Sequence, residues 1–493
     1  MDRRDFLRTA LGATTALAAS SLPRFANAAA ETPASPARQK LLIGSRTLEV
    51  NGRAAKVFSL AGPDGRPGLI IDREDGFDVQ LESGIDEPTL VHWHGLTPPW
   101  QQDGVPGNPA AMLEPGETRQ YAFALASGGT HWMHAHTLQE QNLLAAPLIV
   151  HTAEDRSTDE QEVVILLHDF SFTPAEELLA RLSGGDADHG GMSMGGMSMG
   201  GMDHSKMGHT MGVGGMSGMS GMQGMAMMDF NDIEYDAYLA NDRTLDDPEV
   251  IRIDKGGHVR LRIINAAAST AFMLSTGALA GTVVAVDGQP VEPVEDRAFP
   301  ISMGQRIDIR LQIPAGGGAF PILAQREGAR QRTGIVLASA NAAIEKIGSL
   351  ADEAGPTVGL TLETRLRALR PLADNPAARQ FNLDLTGSMM NGYRWAIEGD
   401  QPKVRRGERI EIGLRNMTMM AHPIHLHGHH FQVVELDGKP LAGALRDTLI
   451  MPPMVTAKIA FDADNAGVWP LHCHHLYHMA NGMMTHVHYE GIG

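Results

Sequence analysis

The chain contains one cysteine, Cys473, among 493 residues, so no disulfide can form within it. Basic residues are outnumbered, 40 Lys and Arg against 58 Asp and Glu, for a formal charge of −18. Without a basic face to neutralise phosphates, general nucleic-acid binding is excluded and cations become the favoured partners. After residue 28 no stretch approaches the roughly 20 uninterrupted apolar residues of a membrane span, so a soluble mature protein is expected. Long amphipathic helices are scarce as well. Pro174 to Leu182 reads as one short helix and Ala342 to Asp352 as another.

The N-terminus has a pattern of its own. Arg3-Arg4 and Phe6-Leu7 precede a small-residue apolar stretch from Thr9 to Leu22 and then Ala26-Asn27-Ala28. These features predict a twin-arginine export signal over residues 1–28, read by the twin-arginine export machinery and cut after Ala28. In a Gram-negative host the product is periplasmic. Exported proteins ordinarily rely on disulfides, so a lone Cys473 calls for another explanation.

Short apolar alternations recur along the chain: Leu41 to Val50, Gly68 to Leu81, Glu162 to Leu167, His258 to Ile264, Thr282 to Val286, Ile307 to Ile313, Arg409 to Leu414 and Thr456 to Phe461. Gly, Pro, Asp or Asn bound each one, the mark of many short strands in sandwiches or barrels. The expected fold is all-β, in blocks 40–155, 160–340 and 376–493 with a connector over 341–375. The length suits about three domains of ordinary size. Within the middle block, 13 of the 37 residues from Met192 to Met228 are methionine, and His189, His204 and His209 lie in or beside the run. The insert 186–228 lacks the β-branched and aromatic residues that offset ordering entropy, so it is expected to be disordered without metal. Its thioethers suit cuprous ion.

Four short segments hold the chemistry: His92-Trp93-His94, His134-Ala135-His136, His422-Pro423-Ile424-His425-Leu426-His427, and His472-Cys473-His474 followed by His478 and Met483. Residues two apart on a strand face one side, so each His-x-His pair brings two imidazoles to one place. Together they supply eight pairwise-spaced histidines for one interdomain metal site. Imidazole alone does not name the metal, because it binds copper, iron, zinc and nickel. The cysteine does. A blue-copper electron-transfer site takes two histidines, a thiolate and a weak axial methionine, and His422, His478, Cys473 and Met483 form that set. His472 and His474 flank Cys473 and point to the opposite face, which wires a thiolate-bound copper to the histidine cluster. His168 and His258 fall outside these segments and read as structural.

These four segments, in this order, resemble the signatures of the multicopper oxidase family along nearly the whole mature chain. The resemblance implies three cupredoxin-like Greek-key domains and four copper ions: one type 1, one type 2 and a type 3 pair. By the family pattern His92 and His425 bind the type 2 copper, while His94, His134, His136, His427, His472 and His474 bind the type 3 pair. Gly129-Thr130-His131-Trp132, Asp103-Gly104-Val105-Pro106 and Asp464-Asn465-Ala466-Gly467-Val468-Trp469 fit the same family. Gln139-Glu140-Gln141, Tyr235-Asp236-Ala237-Tyr238-Leu239, Leu476-Tyr477-His478-Met479 and the Met/His-rich insert are similar to periplasmic copper-resistance oxidases. One departure stands out: some related metal oxidases carry an acidic residue directly after the second type 1 histidine, where this chain has Met479.

The function implied is electron uptake at the Cys473 copper and four-electron reduction of dioxygen to water. Protons need carboxylates near the cluster. Resemblance and chain proximity place Asp103, nine residues after His94, and Glu140, four after His136, in that role. Cuprous ion is the expected electron donor, in copper tolerance, with small phenolic reductants as accessory donors. The alternatives are a general laccase that oxidises diphenols and, from another class, a copper-sequestering protein.

Overall fold

The computed structural model describes residues 38–184, 232–388 and 393–492. The expected export signal and the Met-rich insert lie outside them.

Among the described residues there are six sheets, two per block. In the first block the strands Arg53–Ala61, Gln39–Val50, Phe77–Ser83 and Thr118–Phe123 pair in that order, and a second sheet runs Leu69–Asp72, Ala145–His151, Gly129–Ala135, Val91–His94. Alternation on Gln39–Val50 buries Leu41 and Ile43 and exposes Leu42. The buried residues meet Val79, Leu81, Trp93, Met133 and Leu148 in one core, as period-2 side-chain alternation requires. The middle and last blocks repeat this plan with sheets of six and five and of seven and five strands. In each block the opening strand pairs in parallel with a later one: Gln39–Val50 with Phe77–Ser83, Gln161–Phe170 with His258–Asn265, and Arg379–Ser388 with Arg409–Asn416. The fold is all-β, with three cupredoxin-like domains.

Two local expectations change. Gly68 to Leu81 is two strands instead of one, split by a turn at Arg73–Asp75 and by Gly76, whose φ of 72° only glycine adopts cheaply. Ala342 to Asp352 forms no helix. Ile344 and Leu350 are exposed, so no apolar face is buried to hold one. The backbone instead bonds along the neighbouring edge, Arg332 N to Ser349 O at 2.9 Å and Ala351 N to Arg330 O at 2.7 Å. The expected helix at Pro174 to Leu182 is present as Ala175–Leu182, with Pro174 as its N-cap. Among the described residues no helix is long and apolar enough to cross a membrane.

Contacts between blocks fix where the histidine strands meet. Thr130, on the strand that carries His134, donates to Asp308 Oδ1 of the middle block at 2.6 Å, and Arg262 Nη1 donates to the Thr130 hydroxyl at 3.1 Å. From the first block to the last, Asn108 Nδ2 donates to Val468 O and Asn465 Nδ2 to Pro98 O, each at 2.9 Å.

Candidate metal centre

All four histidine segments lie at strand ends on the seam between the first and last blocks. Val91–His94 pairs antiparallel with Gly129–Ala135, which sets His92 opposite His134. His422–Leu426 pairs antiparallel with Val468–Cys473, which sets His425 opposite His472. The ring centroids of His92 and His94 are 5.7 Å apart, those of His425 and His427 4.7 Å, and those of His472 and His474 5.8 Å. Across the seam His92 and His427 approach to 3.9 Å and His94 and His425 to 3.8 Å. All eight imidazoles are buried.

The rings are turned systematically. Outward nitrogens face protein acceptors: His92 Nδ1 the Asp103 carbonyl at 2.9 Å, His425 Nδ1 the Asp447 carbonyl at 2.9 Å, and His472 Nδ1 the Cys473 carbonyl at 2.9 Å. Carboxylates serve three more: Asp103 Oδ2 with His427 Nδ1 at 2.8 Å, Glu140 Oε2 with His134 Nδ1 at 2.8 Å, and Asp447 Oδ1 with His94 Nε2 at 3.1 Å. Inward nitrogens converge on one another. His427 Nε2 and His472 Nε2 are 2.9 Å apart, His136 Nε2 and His472 Nε2 3.4 Å, and His94 Nδ1 and His134 Nε2 3.4 Å. His92 Nε2, His425 Nε2 and both ring nitrogens of His474 are buried without a hydrogen-bond partner. Polar atoms are not left so without compensation, and an imidazole oriented from behind with its other nitrogen facing inward is the arrangement of a metal ligand. Burial holds His94, His134, His136, His427, His472 and His474 well below the usual histidine value, so each keeps a lone pair.

On the other face of the Cys473 strand a second cluster forms. Cys473 Sγ lies 3.7 Å from His422 Nδ1 and 3.6 Å from His478 Nδ1, and the two nitrogens are 3.1 Å apart. Burial pushes the Cys473 thiol up, so a thiolate here needs a cation beside it. Met483 is fully buried, and its backbone carbonyl accepts from Cys473 N at 3.0 Å. Thr418 Oγ1 is 2.7 Å from His422 Nε2, and Asp232 Oδ2 is 3.1 Å from His478 Nε2. The donor set of each cluster fits copper, one by its imidazoles and the other by its imidazole, thiolate and thioether groups.

Every predicted site residue is therefore in one of these two clusters or hydrogen-bonded to one. Burial, with a contribution from Asp169, raises Glu140 well above the usual carboxyl range. Sequence reasoning missed Asp232, Arg306 and Asp447. Asp447 is a strong anion: burial works to raise it, but the Arg306 guanidinium overrides this and holds it well below the usual carboxylate range. Charge and burial cannot be read for such isolated residues from the sequence, and none of the three belongs to a segment singled out above.

Three multicopper oxidase family models match residues 44–155, 161–344 and 368–491. The chain belongs to the multicopper oxidase family. It is thus an oxidoreductase that works with copper and dioxygen. The chain is 32% identical to multicopper oxidase MmcO of Mycobacterium tuberculosis over 509 residues, covering 99% of this chain and 96% of that one. Copper resistance protein A of Escherichia coli is 26% identical over 564 residues, at 91% and 92% coverage. In fold it is similar to Fet3p, described as a multicopper oxidase that functions in iron import (TM-score 0.73, 18% identity, 92% and 90% coverage). It is also similar to a laccase from Botrytis aclada (TM-score 0.70, 20% identity, 91% and 86% coverage).

Proposed function

We propose that the chain is a cuprous oxidase of copper tolerance, exported by the twin-arginine route to the periplasm and loaded with four coppers. In this reading His422, Cys473, His478 and Met483 hold the type 1 copper, His92 and His425 the type 2, and His94, His134, His136, His427, His472 and His474 the type 3 pair. Bound copper supplies one-electron redox chemistry and, as a cluster, the store of electrons that dioxygen reduction needs. The observation that carries the assignment is the strand ending in Cys473. Its thiol reaches one group of imidazoles while His472 and His474, the next residues on either side, reach the other. Electrons thus have two covalent paths between the clusters, each across a single peptide unit.

Protein groups manage the protons. Asp103 bridges toward two histidines, Oδ2 at 2.8 Å from His427 Nδ1 and Oδ1 at 3.3 Å from His92 Nδ1. Glu140, buried with its Oε2 2.8 Å from His134 Nδ1, stands in the same wall. Both suit proton delivery to reduced oxygen.

Cuprous ion as donor is supported from two directions. The relatives named copper resistance protein A match over most of their length. Asp232, whose carboxylate contacts the His478 ring, stands four residues after Met228, the end of the methionine-rich run. The described chain therefore resumes beside the type 1 histidine His478, which is followed by Met479 where some related metal oxidases carry an acid. The test is steady-state oxygen consumption by copper-loaded protein with cuprous ion, a diphenol and ferrous ion, repeated after residues 186–228 are replaced by a short Gly/Ser linker. The expected result is a raised Michaelis constant for cuprous ion with diphenol oxidation little changed. Equal kinetics before and after would favour the laccase reading, and copper uptake without turnover would favour sequestration.

A further inference from the structure

The middle block gives no histidine to either cluster, yet its loop Ser302–Arg306 forms part of the cluster wall. Gly304 comes so close that a side-chain carbon there would meet His474 Cδ2 at 2.8 Å and His94 Cε1 at 3.2 Å. Arg306, two residues on, is fully buried. Its guanidinium grips Asp447 with two prongs, Nη1 donating to Oδ1 at 2.7 Å and Nη2 to Oδ2. Its remaining contacts hold the fork in place: Nε donates to Thr130 O at 3.2 Å and Nη1 to Gly304 O at 2.9 Å. Asp287 stands 3.7 Å from Nη1.

Asp447 in turn faces two histidines of the cluster. Its Oδ1 lies 3.1 Å from His94 Nε2 and 3.5 Å from His425 Nδ1. The Thr448 hydroxyl donates to the same oxygen at 2.9 Å. A carboxylate in that position has two possible uses. Left free, it is itself a metal ligand, since His94, His425 and Asp447 offer ligand atoms that all lie within 4.8 Å of one another. Held at both oxygens by a guanidinium, it is neutralised and turned from metal ligand to acceptor of a ring N–H. Accepting from Nε2 of His94 fixes the tautomer whose lone pair is on Nδ1, the nitrogen that turns inward to within 3.4 Å of His134 Nε2.

We propose that Arg306 is a positioning residue for the histidine cluster: by occupying both oxygens of Asp447 it keeps that carboxylate off the metal and makes it the acceptor that aims Nδ1 of His94 at copper. This rests on the reading above that His94 and His425 are copper ligands. It assigns the middle domain, which has no ligand, a direct part in how the cluster is built. Arginine is the residue suited to the task, because lysine carries the charge but not the planar fork.

The test compares Arg306→Met, Arg306→Lys, Asp447→Asn and the Arg306→Met/Asp447→Asn double variant in the copper-loaded full chain. The readouts are copper per chain, the blue band of the Cys473 site and the EPR hyperfine pattern of the remaining cupric ions. In Arg306→Met the blue band should be unchanged while cluster copper falls at least twofold or its EPR pattern changes. Arg306→Lys should keep the copper count and show a smaller EPR change in the same direction. Because Arg306 acts through Asp447, the double variant should be closer to the unmodified protein than Arg306→Met is. Wild-type copper content and EPR in Arg306→Met would overturn the proposal, as would strictly additive effects in the double variant, which belong to a simple interdomain strut. Should Arg306→Met fail to fold, an unaltered EPR pattern in folded Arg306→Lys overturns it equally. An unmodified protein that lacks the blue band or binds fewer than four coppers would instead count against the function proposed above.

Discussion

Gly304→Ala places one methyl group against the histidine cluster without replacing a ligand or a carboxylate. The added carbon would lie 2.8 and 2.9 Å from Cδ2 and Cγ of His474 and 3.2 Å from Cε1 of His94, short of an ordinary 3.4 Å contact by roughly half an ångström at the nearer ring. Gly304 also has φ of 78°, which costs an L-residue about 1–2 kcal/mol. Overpacking of a well-filled interior adds about 1–3 kcal/mol. Metal-ligand bonds tolerate displacements of only about 0.2 Å, so the strain is relieved most readily by weakening copper binding at His474 and His94. If even about 1.4 kcal/mol falls on the cluster, retention there weakens tenfold. The assay is copper remaining per chain against a graded chelator, read beside the blue band, with Gly316→Ala as control because nothing lies within 4 Å of its added carbon. Cluster copper should be lost at chelator concentrations at least tenfold lower than in the control, with the blue band retained. A Gly304→Ala protein that holds copper as tightly as the control would refute the seating of this loop against the histidines.

Cys473→Ser should abolish both the colour and oxidase activity, because the hydroxyl cannot replace the thiolate, while the eight-histidine cluster still loads; a blue Cys473→Ser protein would end the type 1 assignment. Met483→Leu removes a weak donor that stabilises cupric ion, so redox titration should find a raised type 1 potential at unchanged copper content. An equal or lower potential would mean that Met483 is not axial. Asp103→Asn should slow reoxidation by dioxygen in stopped flow while anaerobic reduction of the blue site stays fast, since proton capacity is lost without loss of a first ligand. Equal reoxidation rates in both proteins would remove Asp103 from the proton path.

How much of this was legible in the sequence depends on the range of each signal. Period-2 alternation is local, so Leu41 and Ile43 announced their strand, and the same periodicity told that His92 and His94, or His472 and His474, share a side while Cys473 faces away. Asp103 and Glu140 were within reach because each follows a histidine pair closely, and both are hydrogen-bonded to the cluster, though Asp103 serves His427 of the last block, 324 positions away. The misread helix at Ala342 to Asp352 had helix-forming composition, but too little of its apolar surface finds a partner.

What stayed illegible is the middle block's share, and the reason is physical. The copper ligands read here are histidines, a cysteine and a methionine at fixed spacing, so they leave a pattern. A residue that orients a ligand need only bring a charge to one place, and any fold path can bring it there. Asp232 reaches His478 across 246 positions and Arg306 reaches Asp447 across 141. Each is one charged residue among the 98 Lys, Arg, Asp and Glu of the chain, distinguished only by the burial that folding imposes. Burying an ion is tolerated where a partner and further hydrogen bonds meet it, and both residues satisfy this at the seam of two blocks. A cluster made by joining the two ends of a chain has ligands on facing surfaces that are free to shear. The block between them, fastened to the first by Thr130, Asp308 and Arg262 and to the last by Arg306 and Asp447, removes that freedom.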